Sequence, residues 1–107
     1  MSTEVVDAVE RVLPSGAGWV EVVGEGAVAR HLRDRFEARR GGGEGPPLAV
    51  VDTTGEAQAI EQAMARVADL GTVVLAGPPP AEPVALDLYP DLHVRGLMVV
   101  GLGAGGG

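Results

Sequence analysis

The chain has 107 residues, enough for one domain, and 46% of them are apolar but only three, Trp19, Phe36 and Tyr89, are aromatic. Its formal charge is −7, with 15 acidic residues against eight arginines and no lysine, which argues against a surface that tracks nucleic-acid phosphates while leaving room for a single phosphate group. There is no cysteine, so disulfides and thiolate sites are excluded; neither a secretory leader nor a membrane-spanning run is visible, and the cytoplasm is the default location.

Thr3–Leu13 is predicted as the first helix, because Val5, Val9, Val12 and Leu13, with Val6 beside them, recur on one helical face before Pro14 and Gly16 end it. Trp19–Val23 is a β-rich run, the first strand. Gly26–Arg40 reads as a second helix with Val28, Ala29, Leu32 and Phe36 inward and Arg30, Arg33, Asp34 and Glu37 toward water. Gly41–Pro47 (GGGEGPP) is a loop. Leu48–Val51, ending in Asp52, reads as a buried parallel strand. Thr53 to Glu56 has the T-x-x-E spacing of a capping box. The helix behind it runs to about Leu70, with Ala57, Ile60, Ala63, Met64 and Val67 inward and Gly71 as its stop.

Thr72–Ala76 is a third buried strand, followed by a proline-rich loop over Gly77–Pro83. Val84–Leu88 reads as a short extended segment, His93–Gly101 as the last strand, and Gly103–Gly107 as a frayed, flexible tail. Strands alternating with helices predict an α/β fold: a compact two- or three-layer sandwich around a short, mostly parallel sheet of about four strands, formed by residues 1–102 as a single domain. A small core built from Val, Leu and Ala gives modest stability alone and favours oligomerisation.

The segment Trp19–Leu32 is a strand, a turn and a helix, and the turn reads G-x-G-x-x-A. Gly24 suits the tight turn, Gly26 lets backbone approach a phosphate, and Ala29 permits close packing of helix on strand, which is how a dinucleotide-binding unit opens. Further on come VVDTTG, an amphipathic helix, LGTVVLAGPP, VALDLY and HVRGLMVVG. In this order the segments resemble the cofactor-binding, Rossmann domain of the medium-chain, zinc-type alcohol dehydrogenases, over nearly the whole chain.

The resemblance implies NAD(P) as ligand and a crevice at the strand ends lined by Gly24, Gly26, Ala29, Asp52, Thr53, Thr54, Ala76 and Gly77. It implies a homodimer through His93–Gly101, where the family's last strand pairs with its twofold mate; Leu97, Met98, Val99 and Val100 there form an apolar run that is costly to leave on an edge. Two departures stand out. The family's catalytic domain with its zinc ligands is not in this sequence. Two strands of the nucleotide wing are also missing between the glycine turn and VVDTTG. A sheet of order 3-2-1-4-5-6 that loses strands 2 and 3 keeps 1-4-5-6 contiguous but gives up the adenosine pocket. A right-handed crossover to that neighbour then puts Gly26–Arg40 on the face opposite its parental one. In a rival placement Leu48–Asp52 takes position 2 and Asp52 becomes the ribose acid, 28 residues from Gly24 where the fingerprint has about 20.

Asp52 with Thr53, Thr54 and Gly55 reads more readily as a helix N-cap with an acid near the dipole, and Ala76 and Gly77 read equally as a simple strand-to-loop turn. His31, Asp52, Tyr89 and His93 are the candidates for catalysis, if the chain has any. Tyr89 has no lysine partner, Ser15 lies in no nucleophile elbow, and no metal site is suggested. Three functions stay open. The first is a dehydrogenase-like domain without hydride-transfer chemistry of its own, binding a small ligand or serving as an accessory or scaffold protein. The second is the cofactor subunit of a split oxidoreductase completed by a separate catalytic partner. The third is a small repurposed biosynthetic enzyme.

Overall fold

The computed structural model describes residues 4–13, 19–36, 45–78 and 83–102. Expectations placed on Pro14, Ser15 and Gly16, on residues 37–44, on 79–82 and on the tail 103–107 lie outside the described residues. The elements run α1 (Glu4–Val12), β1 (Val20–Val23), α2 (Ala27–Phe36), β2 (Ala49–Asp52), α3 (Ala57–Arg66), β3 (Thr72–Leu75), a π-helical segment (Leu88–Val94) and β4 (Met98–Gly101). The sheet is all parallel and its spatial order, β1-β2-β3-β4, is the order of the chain. This is the predicted α/β, Rossmann-like architecture.

Helices cover both faces, so the inner strands are mostly apolar and every residue of β2 is buried, Asp52 at its end included. Alternation along the strands sorts the side chains into two cores. Val20, Ala49, Val51 and Val74 gather with Val6, Val9 and Leu13 at α1 and Leu32 and Phe36 of α2. Val50 and Val73 gather with Ala63, Met64 and Val67 at α3 and with Leu97. Ion pairs tie the helices down from outside, Arg35 to Glu10 at 2.6 Å and Arg66 to Glu21 at 3.1 Å.

The two cores expose a rule broken. The β1–α2–β2 and β2–α3–β3 connections step the same way across the sheet, yet α2 and α3 lie on opposite faces. The crossovers are therefore of opposite hand, although nearly all such units are right-handed. The two connections thus cannot both be right-handed. Twelve residues separate Phe36 from Ala49, long enough to bring the chain back under the sheet on either side.

Three local expectations also fail. The capping box does not form: α3 starts later, with Glu56 as its N-cap and no side-chain cap, and the Glu56 N–H bonds to the Thr54 hydroxyl and not to that of Thr53, which donates to the Val23 carbonyl. Gly71 is not the left-handed stop; Leu70 takes that conformation (φ 66°), and Gly71 is small because a Cβ there would lie 2.5 Å from the Leu48 carbonyl. The last strand begins at Met98, not His93. The Arg95 N–H bonds to the Pro90 carbonyl at 3.0 Å in a π-type turn. The Arg95 guanidinium holds this arrangement by donating to the Met64 carbonyl (2.8 Å), to the Val67 carbonyl and to Asp69 (2.7 Å) at the end of α3.

Candidate functional site

Register levels the carboxyl ends of the strands, with Val23, Asp52, Leu75 and Gly101 side by side. From there the chain leaves β1 toward one face and β2 toward the other. Diverging connections open a crevice at the strand ends, the place where ligands sit in open α/β sheets. The unusual crossover thus keeps diverging connections after β1 and β2 in the four-stranded sheet of the described residues.

Gly24 and Gly26 both hold positive φ, 116° and 106°, and so need glycine. Their surroundings differ. A side chain on Gly24 would collide with Thr53 Oγ1, whereas one on Gly26 would meet nothing within 4 Å. Ala29 is fully buried, as close helix–strand packing requires. The first turn of α2 carries no acidic residue, and its backbone N–H groups lack helical acceptors. Glu25, exposed, stands between the two glycines.

Asp52 lies 1% exposed at the floor. Its Oδ1 accepts from the Thr54 hydroxyl at 2.8 Å and its Oδ2 from the Gly55 N–H at 2.9 Å. The Thr54 hydroxyl in turn accepts from the Glu56 N–H at 3.0 Å. The Thr53 hydroxyl donates to the Val23 carbonyl at 2.7 Å and fastens the end of β2 to β1. Asp52 thereby folds its own turn. Replacing it by alanine is expected to lower stability by about 2 kcal/mol and by asparagine by about half that, since one acceptor survives. Urea denaturation of the two variants checks the order; equal losses would show that the carboxylate's bonds are not what holds the turn.

Ala76 is buried, and the ends of β2 and β3 close on each other. A Cβ on Gly77 would come within 2.6 Å of the Thr53 backbone, and one on Gly55 would strike the Pro78 carbonyl. The strand ends are thus closed on both sides of Asp52, and the open space lies out beside Gly26, ahead of the first turn of α2. The histidines are elsewhere. His31 is exposed on α2. His93 and Tyr89 meet each other, with ring centroids 4.8 Å apart. His93 sits just ahead of Arg95, whose carbonyl accepts from the Leu70 N–H at the amino-terminal edge of the sheet. Among the described residues no group of three His, Asp or Glu side chains is placed to hold a metal ion.

One residue at the site was read from the sequence only as water-facing. Arg33 donates from Nη2 to the carbonyls of Val22 (3.1 Å) and Gly24 (2.6 Å). Helical periodicity gives the face of a side chain and not what borders that face, so no sequence signal marks this contact. Among the described residues no strand pairs with β1 on that side.

No family model matches the chain, and no curated protein matches it. Solved structures do. 2R,3R-butanediol dehydrogenase from Bacillus subtilis superposes with a TM-score of 0.72 at 15% identity, over 92% of this chain and 39% of that one. An alcohol dehydrogenase zinc-binding domain protein from Burkholderia ambifaria gives 0.70 at 14% identity, over 94% and 37%. A zinc-binding dehydrogenase from Sinorhizobium meliloti, bound to NADP, gives 0.64 at 18% identity, over 91% and 40%. At these identities the likeness is one of fold. The chain has the fold of a domain of zinc-type alcohol dehydrogenases and spans about two-fifths of their length. No described helix is long and apolar enough to cross a membrane.

Proposed function

We propose that this chain is a small-ligand-binding, accessory domain on the dehydrogenase fold, without hydride-transfer chemistry of its own. The observation that carries this reading is the uneven state of the crevice. The Gly26 side is open beside the first turn of α2 and suits a phosphate group. The adenosine side has no partner to offer among the described residues: β1 has no outer neighbour strand, and both oxygens of Asp52 are engaged. On this reading the described residues offer a place for a phosphate group but none for the adenosine of a whole dinucleotide.

Calorimetry tests the reading. NADH and NADPH are expected to bind less than about tenfold tighter than nicotinamide mononucleotide, because the adenosine half adds under about 1.4 kcal/mol. Micromolar binding of either full dinucleotide, with the mononucleotide more than about tenfold weaker, would overturn this. It would favour a second reading, that of an NAD(P)-binding subunit of a split oxidoreductase, which the NADP-bound Sinorhizobium meliloti structure supports by its shared fold.

The same proposal includes a twofold homodimer through the last strand. β4 is an outer strand whose Met98 is 56% exposed, and Val94 and Leu70 nearby are more exposed still. Such a combination of free edge and apolar side chains suits a self-complementary contact. Light scattering is expected to give twice the monomer mass.

A further inference from the structure

The two outer strands of the sheet are treated differently. In β1, Trp19 and Val23 turn their carbonyls to the Leu48 and Thr53 N–H groups at the β2 side, at 2.8 and 3.0 Å. Strand alternation therefore directs the groups of Val20, Val22 and Gly24 outward, where a further strand would pair. Two of those outward carbonyls are taken by the same Nη2 atom of Arg33, which bridges Val22 and Gly24. The donor comes from α2, which packs on β1 and carries Arg33 one turn beyond the buried Ala29. At the opposite side of the sheet, β4 has Met98, Val99 and Val100 along its length, and Arg95, just ahead of it in the chain, sends its guanidinium to the end of α3.

We infer that Arg33 is a guard of the β1 edge: it occupies the outward carbonyls of that strand and denies them to the edge of a second copy of this chain. An unguarded strand edge is a template for further pairing, and a charged side chain laid on it is a recognised way to block that. The consequence is a matter of closure. A molecule that associates only through β4 stops at two copies. A molecule with both edges open builds an unending row, since each dimer still presents two bare β1 edges.

Arg33→Ala keeps a good helix former at an exposed position of α2 and removes only the bridge. The variant is expected to stay folded by circular dichroism and to sediment as a concentration-dependent series above the wild-type species. Hydrogen exchange should slow at the outward N–H groups of Val22 and Gly24 in the assembled variant and stay fast there in the wild type. Arg33→Lys, which keeps a cationic donor on the same helix, is expected to restore the wild-type state. Arg33→Met, which keeps the apolar stem, replaces the alanine variant should that one unfold. A folded Arg33→Ala or Arg33→Met protein with wild-type assembly overturns the inference. So does growth without protection at Val22 and Gly24, and so does loss of fold in both variants, which would make Arg33 a folding contact. The outcome is independent of the dimer: a wild-type monomer whose Arg33→Ala variant assembles through β1 refutes the dimer and upholds the guard.

Discussion

Gly55→Ala is expected to lower stability by about 2–5 kcal/mol, from two separate sources. Gly55 sits at φ 70°, and a residue with a Cβ in the left-handed region loses about 1–2 kcal/mol. The new methyl would also strike the Pro78 carbonyl, and overpacking of this kind adds about 1–3 kcal/mol. A domain of this size has roughly 5–15 kcal/mol in hand, so the fraction lost is large. Gly77→Ala tests the parts separately. Its Cβ would meet the Thr53 backbone at 2.6 Å, but no positive φ is involved, so only the packing contribution applies. Urea midpoints are expected in the order wild type, Gly77→Ala, Gly55→Ala. A loss below about 1 kcal/mol in Gly55→Ala would mean that the turns after β2 and β3 do not bear on each other.

Phe36→Ala is expected to be at least as damaging, at about 3–5 kcal/mol, with Phe36→Leu near 1. Phe36 is 2% exposed, the largest fully buried side chain, and it belongs to the core that joins both N-terminal helices to β1, β2 and β3. Its neighbours there are valines, alanines and leucines, short side chains that cannot reach across the space a lost ring leaves. Trp19 does not serve in this core, since it is half-buried and its indole N–H donates to the Gly45 carbonyl at 3.0 Å. The ion pair of Arg35 with Glu10 joins the same two helices, but both side chains are about half exposed, and such pairs contribute about 0–1 kcal/mol. Glu10→Ala is therefore expected to move the melting midpoint far less than Phe36→Ala. If the two variants melt alike, the helices are held by charge and not by the buried ring.

The strands and helices were legible because their residues repeat at periods of 2 and 3.6, and the glycine turn because backbone geometry restricts those positions to glycine. What the sequence hid depends on neighbours far along the chain. Thr53 looks like a helix cap until the Val23 carbonyl stands 2.7 Å from its hydroxyl. Gly71 looks like a helix stop until the Leu48 carbonyl is seen pressing on it, leaving Leu70 to take the left-handed turn with its side chain 77% exposed. The stretch from His93 to Leu97 has β-type residues but is bent by Arg95, whose bonds run to α3 about 30 residues back. Of the crevice, the Gly24–Ala29 turn could be read directly. That Asp52 commits both oxygens to Thr54 and Gly55 could not, because the same acid at a strand end also suits a ribose hydroxyl.

Because the strands lie side by side in the order of the chain, with successive neighbours starting between 23 and 29 residues apart, each strand after β1 follows in sequence directly on the one it pairs with. No strand waits for a distant mate to be synthesised before its backbone is matched. Loop closure stays short at every stage, and the growing sheet hides its newest edge only when the next strand arrives. Such sequential pairing keeps the sequence separation of contacting strands low for a parallel sheet, which favours fast folding.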